Sequence, residues 1–339
     1  MKFSATRRLC LITALLTVLT LGRNASAQTG NVDAGKKEGR VIVYGSVVPQ
    51  AMKGLNESFE TKYGIKVEYW RGDSTKVAER ARTEWRAGKP GFDVVEANRG
   101  VQLIMKQEGL FQKFMPPSAE SFPAKFKEKD GLITPWRVLP ISILYNTELV
   151  KPNEVPKTLD ELLDPKWKGK ISIPDPTRHT TTAQFLRNLD EIKGDKWLDY
   201  VKALAKQNPL LVTSLASVPA AIIKGEAHIG ITYIKYVQQY KGPIHYVLMD
   251  KYLSDPNYLS LSAKPLHTNA AKLYIDFATS AAGQKEIAED GEFVLAPGIY
   301  PPIKDAEKVP ANMIFMENPS ADEFKTLMTK TFRDIFYAK

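Results

Sequence analysis

The sequence predicts an α/β protein of two lobes, each a mostly parallel sheet flanked by helices. Three observations predict it. Short apolar strands alternate with helical stretches from Arg40 onward, and the alternation restarts near Ile141. The chain has 339 residues, 43% hydrophobic and 25% charged, which is enough for two cores.

The chain opens with an export signal. Lys2, Arg7 and Arg8 precede an uncharged apolar run from Leu9 to Leu21, and Ala25-Ser26-Ala27 offers a small-x-small cleavage site before Gln28. The run is shorter than the ~20 residues of a spanning helix, so residues 1–27 read as a signal peptide rather than an anchor. Cleavage after Ala27 implies a periplasmic protein. It also removes Cys10, the one cysteine, and with it any disulfide scaffold or thiolate metal cluster. The four histidines (His179, His228, His245, His267) show no i, i+4 pair. Without residues 1–27, 43 basic residues face 38 acidic ones, an excess of five. That is too mild for a nucleic-acid partner.

Arg40–Gly45 reads as a buried strand, and Pro49–Tyr63 as a helix stopped by Gly64. Strands over 65–70 and 92–96 enclose a helix from Ser74 to Ala87, so right-handed crossovers build a parallel sheet. The second pattern starts with a strand over Ile141–Tyr145. Thr158-x-x-Glu161 is a capping box, Lys170–Ile173 a strand, and Thr181-x-x-Gln184 a second capping box with Phe185, Leu186 and Leu189 inward. Ser217 is expected to cap a helix ended by Gly225. Ile229–Tyr233 and Ile244–Leu248 read as strands, and Thr268–Ser280 as a helix. Ser320-x-x-Glu323 opens the last helix, with Phe324, Leu327, Phe332 and Ile335 at helical period.

Catalytic signatures are missing: there is no G-x-S-x-G, phosphate loop, G-x-G-x-x-G or H-E-x-x-H. No cofactor is expected. Hydroxyls, arginines and glycines instead recur where strands meet helix N-termini, after Tyr44, after Trp70, around Arg99, across His179-Thr180-Thr181-Thr182 and before Ser217. Free amides and the positive end of a helix dipole favour anions at such places. Any single hydroxyl serves equally as an ordinary cap, but three successive threonines exceed what one cap needs. Arg71, Arg99 and Arg137 suit a carboxylate or phosphate through their planar donor fork, or else pair with neighbouring acids.

Several segments resemble a known family. They are Lys36 to Ser46 (KKEGRVIVYGS), 59–67 (FETKYGIKV), Ile143-Leu144-Tyr145-Asn146, 158–170 (TLDELLDPKWKGK), 225–233 (GEAHIGITY) and 269–284 (NAAKLYIDFATSAAGQ). In this order they resemble periplasmic solute-binding proteins of ABC importers, in the ferric-iron/thiamine-like branch of the type 2 fold. The resemblance implies a monomeric carrier with a small-molecule ligand and a membrane permease as partners. It implies a first lobe of residues 28–138 plus 247–303, a second of 139–246 plus 304–339, and a cleft between them. Tyr44, Ser46, Ser74 and Arg99 are then expected around the ligand from the first lobe. Tyr145, His179, Thr180, Thr181, Thr182, Ser217 and Tyr233 are expected from the second.

A small anion (carboxylate, phosphonate or phosphate ester) fits these loops best, and they do not favour a thiamine-like cation. Ferric iron, with or without a synergistic anion, is the runner-up, held by Tyr145 and Tyr233. Iron-binding relatives carry adjacent tyrosines where this chain has Tyr233-Ile234, so one phenolate is missing. A periplasmic enzyme on the same scaffold is the alternative from another class.

Overall fold

In a computed structural model, residues 29–337 are described; the expected export signal and its cleavage site lie outside them. Eleven strands occur in these residues: β1 Arg40–Gly45, β2 Lys66–Arg71, β3 Val94–Asn98, β4 Thr134–Asn146, β5 Ile171–Pro174, β6 Leu210–Val212, β7 Ile229–Tyr233, β8 Ile244–Tyr246, β9 Tyr252–Leu261, β10 Phe293–Val294 and β11 Met313–Phe315. Their order along the main path is β2-β1-β3-β9-β4-β7-β5-β6. The pairs β1–β2, β1–β3, β5–β6 and β5–β7 are parallel. The strands that join the halves, β4 and β9, run antiparallel to their neighbours on this path, and β9 also pairs in parallel with β11.

β4 makes the molecule two-lobed. Its first half, Thr134 to Pro140, pairs with β9, whereas Ile141 to Tyr145 pairs with β7. The sequence pattern catches only the second half of this strand. Pro135, Trp136, Arg137 and Pro140 break any simple apolar alternation, and a register shift falls between Pro135 and Arg137.

Helices α1 (Val32–Glu38), α2 (Pro49–Tyr63), α3 (Ser74–Arg86) and α4 (Arg99–Gln107) belong to the first lobe. α2 has the predicted ends: Pro49 opens it, and Gly64, left-handed at φ 68°, returns its N–H to the Glu60 carbonyl. The second lobe carries α5 (Thr180–Arg187), α6 (Asp190–Lys193), α7 (Trp197–Lys206), α8 (Ser217–Ile223) and α9 (Tyr236–Gln239). α10 (Thr268–Thr279) lies on α1 and β1, and α11 (Ala281–Ala288) on α2. The chain ends in α12 (Ala321–Thr326) and α13 (Phe332–Tyr337), joined by a π-helical turn, with α13 against α7.

Two expected caps fall elsewhere. α5 is capped by His179, whose Nδ1 accepts the Thr182 amide, while Gln184 turns away to the Glu317 carbonyl. α8 has Ala216 at its cap position, so Ser217 lies inside the helix.

Val43, Leu55, Phe59, Leu273, Tyr274 and Phe277 fill one face of the first sheet, and Tyr44, Val77, Phe92 and Tyr258 the other. The second lobe buries Ile143, Ile171, Phe185, Leu186, Val218 and Ile231 together. Each such side chain contributes roughly 1.5–3 kcal/mol on burial. The tightest strand–helix approach is at Gly230 of β7, where a Cβ would lie 2.5 Å from Val218 Cγ1 and 2.8 Å from the Ser172 carbonyl. Gly230→Ala is therefore expected to destabilise the protein by ~1–3 kcal/mol, read as a lower denaturant midpoint at unchanged slope. No helix in the described residues is long and apolar enough to cross a membrane.

Candidate functional site

Where β4 and β9 cross between the lobes, a buried polar network forms around Arg137. Its Nη2 donates to Glu96 Oε1 at 3.0 Å and to Asn257 Oδ1 at 3.1 Å, and its Nη1 to Glu292 Oε2 at 3.0 Å. Glu96 continues outward, its Oε2 accepting both the amide (2.7 Å) and the hydroxyl (2.8 Å) of Ser46. From the second lobe, Lys235 Nζ reaches Glu292 Oε1 at 2.7 Å. Beside these groups the Tyr233 phenol donates to Asp255 Oδ2 at 3.1 Å, and Thr181 lies near enough to favour the ionised phenol slightly, against the larger upward push of burial and Asp255.

Three of the expected residues thus meet here: Ser46, Thr181 and Tyr233. Thr181 comes from the first turn of α5, where the amides of Thr180 and Thr181 have no protein acceptor among the described residues. The exposed Thr180 adds a hydroxyl at the same end. Ser217 sits in a separate hydroxyl group, 2.9 Å from Ser214 Oγ and 3.1 Å from Thr213 Oγ1.

The other expected residues have different surroundings. Tyr44 is a core residue beneath α3; its phenol donates to Glu84, its ring packs on Trp70 and Phe92, and burial pushes its pKa up to about 12. Ser74 accepts the Asn98 amide and ties α3 to β3. His179 and Thr182 hold each other as the cap of α5, and burial pushes the His179 imidazole down to about 4, neutral at pH 7. Arg99 pairs with Glu317 at 3.0 Å and Glu128 at 3.5 Å, in a separate cavity of about 540 Å³ beside Tyr258 and Phe315.

Tyr145 is the clearest correction. It stands opposite Ile229, while Tyr233 stands opposite Ile141. Four residues of strand, about 13 Å, separate the two positions, and the rings have different neighbours, Tyr145 beside His245 and Tyr233 beside Asp255 and Tyr236. Among the described residues no group of three His, Cys, Asp or Glu could hold a metal.

The profile of the bacterial extracellular solute-binding protein family matches residues 55–315. The chain belongs to this family. It is 23% identical over 285 residues to the Fe(3+)-binding periplasmic protein of Serratia marcescens, spanning 80% of this chain and 82% of that one. Two solved structures share its fold. The periplasmic binding protein AfuA of Actinobacillus pleuropneumoniae, with exogenous fructose-6-phosphate bound, matches with a TM-score of 0.67 at 22% identity, over 88% of this chain and 96% of that one. Iron-bound HitA of Pseudomonas aeruginosa matches with a TM-score of 0.70 at 19% identity, over 87% and 99%. The architecture is the type 2 periplasmic-binding fold.

In this solute-binding protein the inner residues that sequence reasoning missed are mostly acids. Glu96 and Glu292 are fully buried and Asp255 is nearly so. Burial alone would raise Glu292, but Lys235 and Arg137 outweigh it and hold the carboxyl below its usual range. Burial drives Asp255 the other way, to about 6, against the hydrogen bond from Tyr233 and the charge of Arg137. Arg137 keeps its proton because Glu292 and Glu96 offset its desolvation. A signal was present for these residues: an acid inside an apolar strand, as in Val94-Val95-Glu96 or Ser254-Asp255-Pro256, needs a buried partner.

Proposed function

We propose that this solute-binding component of an ABC transporter works in the periplasm and carries a small anion that also bears hydroxyl groups, a phosphate ester first among the candidates. The observation that carries the reading is the pairing of two kinds of group at one place. The free amides and hydroxyls of Thr180 and Thr181 suit a negatively charged oxygen. Next to them Asp255, the acceptor of the Tyr233 phenol, suits a hydroxyl of the same solute. Arg137 and Arg99 play no direct part, since both are paired with acids. AfuA, with a sugar phosphate bound, supports the same reading.

Ferric iron is the weaker reading. Burial and Asp255 both raise the Tyr233 phenol well above its ordinary value, which disfavours a tyrosinate, and Tyr145 stands four strand residues away with its ring beside His245. Capture follows from two half-sites: the solute bridges them, and closure adds contacts that shift the population toward the closed form. The named relatives are binding proteins, and the solute is expected to leave chemically unchanged for the permease.

A thermal-shift panel of fructose 6-phosphate, inorganic phosphate, a phosphonate, citrate and ferric citrate tests this. A phosphate ester at a hundred times its Kd should stabilise the protein by about 2.7 kcal/mol. Thr181→Ala should weaken that ligand by roughly tenfold, the worth of one hydrogen bond to a charged group. A coloured ferric complex that disappears in Tyr233→Phe, with no response to any phosphate ester, would reverse the ranking.

A further inference from the structure

The turn that presents the α5 threonines is organised by one acid, and the C-terminal helix reaches back to it. Asp175, largely buried, follows β5. Its amide donates to the Val212 carbonyl (2.9 Å), and its carbonyl accepts the amides of Arg178 (3.1 Å) and His179 (2.8 Å). Its Oδ1 accepts the Thr177 amide (2.9 Å) and hydroxyl (2.7 Å). These bonds fix residues 175–179 and so set where α5 begins. The remaining oxygen, Oδ2, accepts the phenol of Tyr337 at 2.7 Å, across 162 residues of sequence.

We propose that Tyr337 is a positioning residue for the solute site, holding the β5–α5 turn in place through Asp175. Tyr337 touches no solute. It closes the last open acceptor of the carboxylate, so that Asp175 cannot rotate and release Thr177 and the turn. The exposed Arg178 guanidinium also approaches Oδ2, at a looser 3.7 Å, so the phenol is the shorter of the two contacts. α13 delivers the phenol because it is anchored independently, with Phe332 buried in the second-lobe core and the helix lying on α7. A C-terminal segment far from the cleft in sequence thereby helps to aim Thr180 and Thr181. This inference rests on the reading that those threonines contact the solute.

Tyr337→Phe keeps the ring and removes only the donor, so the protein should fold with a thermal midpoint close to the parent. Two measurements decide the matter on the full chain. Amide hydrogen exchange of the ligand-free protein should speed up at residues 177–182 and stay unchanged elsewhere in α5 and α7. Affinity for fructose 6-phosphate should fall roughly tenfold, while Thr181→Ala in the same assay reports on the reading itself. Unchanged exchange in the turn, or unchanged affinity in Tyr337→Phe while Thr181→Ala weakens binding, overturns the positioning role and leaves the solute site standing. Loss of response in neither variant removes the solute reading, and the positioning role with it.

Discussion

Arg137→Met is expected to lower the unfolding free energy by ~3–5 kcal/mol at neutral pH, because it takes the guanidinium from two buried carboxylates and leaves only Glu292 an ion-pair partner, Lys235. Glu96 and Glu292 are both fully buried and each bonds the guanidinium at 3.0 Å. Methionine fills most of the same volume, so the loss reports charge rather than a cavity. The pH dependence gives the sign. In the parent, Glu292 is held below its ordinary pKa, so its stabilising share is present above the unfolded value and fades as pH falls through the folded one. In Arg137→Met, Glu292 keeps only Lys235 against its burial and becomes more reluctant to ionise. The deficit should then be larger at pH 8 than at pH 5, where protonation relieves the unpaired charges. Chemical denaturation at the two pH values checks this. Restoring neutrality with Glu96→Gln and Glu292→Gln in the same background should recover part of the loss. An equal deficit at both pH values would mean that packing, not charge, is what Arg137 supplies.

Asp255→Asn is expected to make the protein more stable, by an amount that grows from about pH 4 and levels off above about pH 6. The carboxyl has its pKa raised to about 6 by burial, against an ordinary value of 3.8. A raised carboxylate pKa means that the folded state holds its proton more tightly than the unfolded state does. Parent stability from this group is therefore full below pH 4 and declines as pH rises to 6. One pKa unit corresponds to about 1.4 kcal/mol, so the decline amounts to about 3 kcal/mol. Asparagine removes the titration and keeps an oxygen for the Tyr233 hydroxyl. The variant should match the parent near pH 4 and exceed it at pH 8. A gain of the same size at every pH would point to something other than the buried charge. The retention of a destabilising carboxylate at the lobe crossing is itself consistent with a binding role, since stability and function commonly trade off at such sites.

The local elements were legible in the chain because their causes are local. α2 runs from Pro49 to Tyr63 as its ends require, β7 covers Ile229 to Tyr233, and Ser320 caps the last helical segment by accepting the Glu323 amide. The strand that joins the lobes was only half legible, because β4 is buried along nearly all its length and has no polar alternation to read. Of the site, the hydroxyl positions Ser46 and Thr181 and the phenol of Tyr233 could be picked out as strand-end groups. Tyr44 and Arg99 sit at equally suggestive positions, yet one faces α3 and the other pairs with Glu317. Side-chain direction at a strand end depends on which face the neighbouring helix covers, and that is not written locally.

The α/β class and most helix and strand positions were readable from the chain, since periodicity, caps and glycine stops act over a few residues, and the family from the resemblance of whole segments. Only the tertiary structure decided which residues share the crossing point. Glu96, Arg137, Asp255 and Glu292 come from four separate segments and are united by the pairing of β3, β4, β9 and β10. The cost of burying a charge without a partner then determines how they pair.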